Sequence, residues 1–178
     1  MGIIGVSDHG GWAVLVTATA DGTLLDRRRV QLVDADLPKM PIHCEGQSLP
    51  IDEAVALVER VRVSAERHAA LCLEAVAMTL PGRIRGVALR ECPALPPTIA
   101  DRIKDYRAKN VADWVMYRKA LAAAAEARGW EVHWYNAKKV LEIAEPMQLR
   151  KSVGPPWTAD HKLAMDAAIS AARRSNRQ

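Results

Sequence analysis

Phenylalanine is absent from this 178-residue sequence, and aromatic residues make up only 4% of it. A core without phenylalanine must be built from many aliphatic contacts, with the five tryptophans supplying its bulk. Apolar residues form 49% and charged residues 26% of the chain, which is typical of a globular protein. The length predicts a single domain over residues 1–174, with a frayed tail over 175–178.

Cysteine is also scarce. Cys44, Cys72 and Cys92 are an odd number without C-x-x-C spacing, which argues against a disulfide scaffold and against a zinc cluster. No apolar run approaches the roughly 20 residues that span a bilayer, and the amino terminus lacks the charged and apolar regions of a signal peptide. We therefore expect a cytoplasmic protein that does not contact the membrane.

The charge excess is modest. The formal net charge of +4 and the pI of about 9.1 permit a polyanionic partner without requiring one. Denser basic patches lie at 27–29, 102–109, 138–139 and 173–174. A solvated surface explains each patch as well as a nucleic acid partner does, so charge alone leaves the partner open.

The first third of the chain predicts an antiparallel meander. Strands are predicted over 2–8, 12–20 and 23–33, and Asp21-Gly22 is a tight-turn signal between the last two. A loop with three prolines follows over 34–50. Asp52 can cap an amphipathic helix with apolar positions from Ala54 to Cys72.

The rest of the chain predicts alternating strands and helices. The apolar run 72–79 predicts a buried fourth strand, the prolines of 80–97 a long loop, and the alternation of 130–135 a fifth strand. Helices are predicted over 99–109, 111–128, from Asn136 to before Pro146, and over 159–174. Their proposed caps are Thr98, a capping box of Asn110 with Asp113, Asn136, and Thr158. This order implies a mixed α/β sheet with helices on both faces.

Four stretches carry a family resemblance. They are I-I-G-V-S-D-H-G-G-W-A-V-L (3–15), C-L-E-A-V-A-M (72–78), A-L-A-A-A-A-E-A-R-G-W-E-V-H-W-Y-N-A-K-K-V (120–140) and D-H-K-L-A-M-D-A-A-I-S-A-A (160–172). Together they resemble the ribonuclease H-like fold, in particular the RuvC-type Holliday-junction resolvases. The resemblance implies a mixed five-stranded sheet, made of an antiparallel meander plus two parallel strands and flanked by helices.

The resemblance also implies metal-dependent cleavage of a phosphodiester bond in nucleic acid. Two divalent ions about 4 Å apart would clamp the attacking and leaving oxygens, and Mg²⁺ or Mn²⁺ requires converging carboxylates. The implied catalytic residues are Asp8, Glu74, Asp160 and Asp166, of which Asp8, Glu74 and Asp160 would bind the metal.

The spacing departs from the family pattern in two places. Matching Gly5-Val6 to the family's Gly-Ile puts Ser7, not Asp8, at the position of the catalytic aspartate. Asp160 and Asp166 are six residues apart, about 240° around a helix, so only one of them is expected to serve. Seven residues are kept as accessory candidates for a general base, a ligand or a phosphate contact: Ser7, His9, His43, Glu45, Lys138, Lys139 and His161.

Three functions remain open at this point. A resolvase-like nuclease acting on DNA leads, and a homodimer is the assembly considered. The alternative is a catalytically inactive ribonuclease H-like module that binds a protein or a nucleic acid. A sugar or acetate kinase is disfavoured, because the chain has room for one domain and lacks both G-x-G-x-x-G and G-x-x-x-x-G-K-[ST]. Convergence of the carboxylates would support the nuclease, and their separation would support the binding module.

Overall fold

The computed structural model of the protein describes residues 1–140 and 154–176, which form one mixed sheet with helices on both faces. The strands are β1 (Gly2–His9), β2 (Trp12–Ala18), β3 (Leu24–Gln31), β4 (Ile84–Arg90) and β5 (Glu131–Tyr135). They lie in the order β3-β2-β1-β4-β5. The first three strands pair antiparallel, and β1, β4 and β5 run parallel. The predicted fold class is confirmed.

The helices divide between the two faces of the sheet. They are α1 (Ile51–Thr79), α2 (Ile99–Lys104), α3 (Ala112–Glu126), α4 (Ala137–Val140) and α5 (Ala159–Ser175). The large core lies between the sheet and the pair α1 and α3, and includes Ile4, Val6 and Leu89. On the other face, α5 packs its alanines against Ile3, Val14 and Ala88. Among the described residues, no helix combines the length and the apolar character needed to cross a membrane.

The strand predicted over 72–79 is wrong, because those residues are the last turns of α1. Buried Cys72, Leu73 and Val76 follow helical spacing, and the helix ends at Thr79, just before Pro81 and Gly82. The fourth strand is instead Ile84–Arg90, inside the predicted loop. An irregularity in its pairing with β1 interrupts its alternation, which hides the strand signal.

The structure confirms some of the predicted helix caps and contradicts others. The Thr98 hydroxyl accepts a hydrogen bond from the Asp101 amide at 3.1 Å, as predicted. Asp52 does not cap α1, since Pro50 occupies the position before the helix. The predicted box of Asn110 and Asp113 is also absent, because α3 begins at Ala112.

Asp113 serves the packing of a loop instead of a cap. Its buried carboxylate accepts hydrogen bonds from the amides of Ile42 at 3.0 Å and His43 at 2.9 Å. These bonds fix the 34–50 loop against α3. Burial raises the pKa of Asp113 to about 6, while the two amides lower it.

The predicted final helix is α5, which extends one residue beyond 174. Thr158 forms a capping box with His161 at its start. The short helix expected after Asn136 begins at Ala137, and its predicted continuation over 141–145 lies outside the described residues. The last two residues of the predicted tail, 177 and 178, lie outside them as well.

Gly5 allows α5 to approach the central strand. A Cβ at this position would lie 1.8 Å from the Ala164 carbonyl oxygen and 2.8 Å from the Ala168 nitrogen. No side chain fits such a gap, so any other residue would push α5 away from β1. This contact brings the first turn of α5, with Asp160, to the carboxyl end of β1.

Candidate functional site

The carboxyl end of β1 divides three polar side chains between the two faces of the sheet. Successive residues of a strand point to opposite faces. Ser7 and His9 therefore face α5, together with Gly5. Asp8 faces α3, together with Ile4 and Val6.

Ser7, His9 and Asp160 form a compact polar cluster on the α5 face. The Ser7 hydroxyl donates to Asp160 Oδ1 at 2.8 Å, and His9 Nε2 lies 2.8 Å from the same oxygen. Burial raises the pKa of Asp160, but the hydrogen bonds from His9 and Ser7 outweigh it, so the pKa lies below its usual value. Asp160 is therefore ionised near neutral pH, and its charge is compensated inside the cluster.

Aromatic and basic groups extend this cluster along the strand ends. The rings of His9 and Trp12 stack with centres 4.0 Å apart and planes 4° apart. The Arg29 guanidinium lies 3.9 Å from the centre of the Trp12 ring. These contacts orient the imidazole of His9 toward Asp160 from the meander side of the sheet.

Asp8 forms an ion pair on the α3 face of the sheet. Arg118 of α3 donates from Nε to Asp8 Oδ2 at 2.8 Å and from Nη1 to the Glu91 carbonyl at 3.1 Å. Both side chains of the ion pair are buried. Burial raises the pKa of Asp8, and Arg118 opposes that rise. The predicted meeting of Asp8 with Asp160 is therefore not observed, since the sheet separates them.

Glu74 lies at the other end of the sheet. The sequence placed it on a central strand, but it is on the outer side of α1, where it forms an ion pair with Arg128. That part of α1 is close to the turn that leads into β4, whereas Asp8 ends β1. Glu74 therefore does not join the cluster at Asp160, because the strand on which that expectation rested is a helix.

Asp166 is buried on α5, one and two-thirds turns beyond Asp160. Its Oδ2 atom has no hydrogen-bond partner among the described residues. Burial raises its pKa to about 6, and the charge of Lys162 lowers it only in part. As the six-residue spacing predicts, Asp166 and Asp160 do not share a face of the helix.

The remaining histidine and glutamate candidates have other positions. His161 is buried, contacts the Trp157 ring, and uses Nδ1 in the capping box with Thr158. The 34–50 loop does pack over the turn after Asp8, where Met40 lies against Gly10. His43 and Glu45, however, are exposed.

Lys138 and Lys139 are exposed at the start of α4. The Lys138 amide donates to the Asn136 side chain at 3.1 Å, which caps this helix as predicted. Because α4 follows β5 directly and β5 runs parallel to β1, both lysines lie at the same edge of the sheet as His9.

Arg90, like Arg118, is a residue of this site that the sequence pattern did not predict. It ends β4, and like Ala88 it faces α5. Its Nε atom is buried and has no hydrogen-bond partner among residues 1–140 and 154–176. Only the correct boundaries of β4 reveal it, because residue 90 falls inside the loop that the prolines predict.

The residues at this edge do not fit a two-metal carboxylate centre. On the α5 face the ends of β1 and β4 carry a hydroxyl and a guanidinium, Ser7 and Arg90, and a guanidinium cannot bind a cation. Within the described part of the chain, no group of three or more histidine, cysteine, aspartate or glutamate side chains is arranged to hold a metal ion.

This architecture, a meander continued by two parallel strands between layers of helices, is the ribonuclease H-like fold. The chain is similar over 99% of its length to Thermus thermophilus RuvC in complex with a Holliday junction substrate, with a TM-score of 0.57, 14% identity and 96% of that chain covered. A second Thermus thermophilus RuvC structure matches with a TM-score of 0.52, 14% identity and the same coverage. No family model and no curated protein matches the chain. At this identity the likeness defines the fold.

The Asp8–Arg118 pair is expected to dominate the stability of this edge. Removing one partner of a buried ion pair leaves an uncompensated charge and costs about 3–5 kcal/mol. We expect Asp8→Asn and Arg118→Met each to lower the free energy of unfolding by this amount in urea denaturation. The double variant should lose less than the sum, since neither charge remains. Asp36→Asn, in an exposed loop, is the control, and strictly additive losses would show that the two residues do not interact.

The raised pKa of Asp166 predicts that the stability of the protein depends on pH. A carboxyl whose pKa rises from 3.8 to about 6 on folding favours the folded state while protonated, so stability falls as pH rises from about 4 through 6. Asp166→Asn removes this loss, on the order of 2 kcal/mol. We expect its melting temperature relative to wild type to rise between pH 4 and pH 8.

Asp36→Asn, in an exposed loop, is the control for this comparison. Asp113 titrates in the same range in both proteins, so the difference between them reports Asp166. A difference that stays constant with pH would contradict the assignment.

Proposed function

We propose that this protein is a ribonuclease H-like module that binds nucleic acid, DNA in particular, without cleaving it. The observation that carries the proposal is the separation of the acids. Asp8 is paired with Arg118 on one face, Asp160 is bonded to Ser7 and His9 on the other, and Glu74 lies at the far end of the sheet. Cleavage by the two-metal route needs these carboxylates within reach of shared ions.

The RuvC complex supports nucleic acid as the partner. That protein binds a Holliday junction, and its fold matches this chain over 99% of the chain's length. The present chain carries a net charge of +4, which favours a polyanion at long range. We infer that binding uses the same sheet edge as the polar cluster.

The distribution of cations supports this edge. Exposed Arg29, Lys39, Lys138 and Lys139 lie around the carboxyl ends of β1 and β5, beside the stacked rings of His9 and Trp12. Cations interleaved with aromatic rings suit a phosphate backbone and its bases. The opposite end of the sheet carries Arg128 and Arg85, which are paired with Glu74 and Glu131.

Metal-dependent cleavage with Mg²⁺ or Mn²⁺ is the second candidate. The observation that favours it is the Ser7–His9–Asp160 cluster, which lies at the carboxyl end of a central strand, where α/β sheets place their sites. In that case Asp160 and His9 would be the ligands closest to a substrate phosphate.

One assay separates the two candidates. Fluorescence anisotropy would measure the binding of a labelled four-way junction, a duplex and a single strand, in EDTA and then in Mg²⁺ or Mn²⁺, and denaturing gels would show any cleavage. We expect binding in EDTA that weakens steeply with salt, and intact DNA throughout. Lys138→Gln/Lys139→Gln should lower the slope of log K against log salt by about 1–2.

Arg173→Gln/Arg174→Gln, at the carboxyl end of α5, is the matched control and should leave the slope unchanged. DNA cut by the wild type but not by Asp160→Asn would establish the nuclease in place of the binding module. If neither DNA nor RNA bound under any condition, both candidates would be rejected.

We also propose a homodimer, formed through α1. Val63, Leu71 and Met78 are 56%, 58% and 75% exposed, and their spacing of eight and seven residues puts them on one side of the helix. An antiparallel pair of α1 helices that places Val63 of one copy beside Leu71 of the other also places Arg60 beside Glu74. The apolar stripe is therefore complementary to itself, and Arg67, which this register places beside its own copy at the two-fold axis, has its charge compensated by Asp34.

Leu71→Glu should convert the dimer to a monomer. It places a charge at the centre of the apolar stripe, opposite Val63 of the second copy. Light scattering should give about twice 19.5 kDa for the wild type and 19.5 kDa for the variant. Tyr106→Glu changes another exposed apolar side chain, and it should leave the mass unchanged. A monomeric wild type at high concentration would reject the dimer.

A further inference from the structure

Arg90 occupies the centre of the sheet edge on the α5 face. Gly5 of β1 pairs with Ala88 of the parallel neighbour β4. The pairing ends there, and two residues beyond it Ser7 and Arg90 are the next residues of the two strands on the same face. The cation therefore ends the strand that neighbours the Ser7–His9–Asp160 cluster.

The guanidinium of Arg90 has hydrogen-bonding capacity that the described residues leave unused. Its Nε atom is buried without a hydrogen-bond partner, and no carboxylate among the described residues forms an ion pair with it. Asp8 and Asp160 already have other partners, namely Arg118 for Asp8, and Ser7 and His9 for Asp160. Arg90 lies near the Tyr135 hydroxyl, where it opposes the rise in the pKa of that phenol caused by burial.

A buried donor without a partner costs about 1–3 kcal/mol, so such a group calls for a ligand. The side chain as a whole is half-buried, so a molecule arriving from solvent reaches the part of it that is open, and it reaches Nε only after a shift of the side chain. A guanidinium presents pairs of parallel donors, which match two oxygens of a phosphate. Partial burial strengthens that attraction relative to water.

We infer that Arg90 binds a backbone phosphate of nucleic acid, and that it does so without a metal ion. The inference rests on the proposed nucleic acid binding and assigns its central contact. The guanidinium then stands where a metal-dependent enzyme of this fold would need a cation. Asp160 accepts hydrogen bonds from Ser7 and His9 through Oδ1, and these donors reduce the repulsion between its carboxylate and a nearby phosphate.

The first test measures DNA binding in EDTA at several salt concentrations. Arg90→Gln should weaken binding of the junction, the duplex and the single strand alike, by about 10-fold or more, and reduce the salt slope by about 1. Arg90→Lys keeps the charge but loses the paired donors, so its affinity for DNA should lie between those of the wild type and Arg90→Gln. Arg85→Gln is the matched control, since it removes the arginine at the other end of the same strand.

The second test needs no nucleic acid. Inorganic phosphate, compared with chloride at equal ionic strength in EDTA, should raise the melting temperature of the wild type and of Arg85→Gln. It should not raise that of Arg90→Gln. Circular dichroism in chloride confirms that each variant is folded, and Arg90→Lys replaces Arg90→Gln should the latter unfold.

The outcomes separate the two claims. If Arg90→Gln binds DNA as tightly as the wild type and with the same salt slope, the phosphate contact is rejected while the binding module stands. If phosphate stabilises the protein through Arg90 but no nucleic acid binds, the anion site stands and the proposed function is rejected. If phosphate gives no shift that depends on Arg90 and no DNA binds, both are rejected.

Discussion

The two-residue period of the central strand governs this site. At the end of β1, Ser7 and His9 face α5 and Asp8 faces α3, because a strand alternates its side chains. The alternation cannot be relaxed, since Ile4 and Val6 are buried in the core on the Asp8 side and Gly5 is in close contact with α5 on the other. A shift of β1 by one residue would move each of its side chains to the opposite face of the sheet. The carboxylate is thus directed to Arg118, and the α5 face receives a hydroxyl and an imidazole.

The chemistry of the edge follows from this division. A buried carboxylate requires a buried cation, which Arg118 supplies to Asp8, so that acid is no longer available as a ligand. On the other face Asp160 stays ionised and accepts hydrogen bonds from Ser7 and His9. Within the part of the chain that the structure describes, Arg90 is then left with a buried donor and no acceptor. An edge of this kind attracts phosphates more readily than divalent cations, and for that reason we place binding, not cleavage, at the centre of the proposal.

The sequence predicted the meander and the order of helices and strands, both of which the structure contains. It misplaced the fourth strand, since the apolar run 72–79 reads equally as a buried strand or as the end of an amphipathic helix. Because of that error, Glu74 was predicted to lie in the sheet, although it is on the outer side of α1. Arg90 was predicted to lie in a loop, because β4 contains an irregularity, lies among prolines and shows little alternation of apolar and polar residues.

Local chemistry was determined by the sequence alone. The caps at Thr98 and Thr158, the turn at Asp21-Gly22, the six-residue separation of Asp160 from Asp166 and the one-residue step from Ser7 to Asp8 are properties of neighbouring residues. Only the tertiary structure decided the partners, namely Asp160 for His9, Arg118 for Asp8 and Arg128 for Glu74. Each of these pairs joins residues more than 50 positions apart, and their distance depends on how helices and sheet pack, which no local pattern encodes.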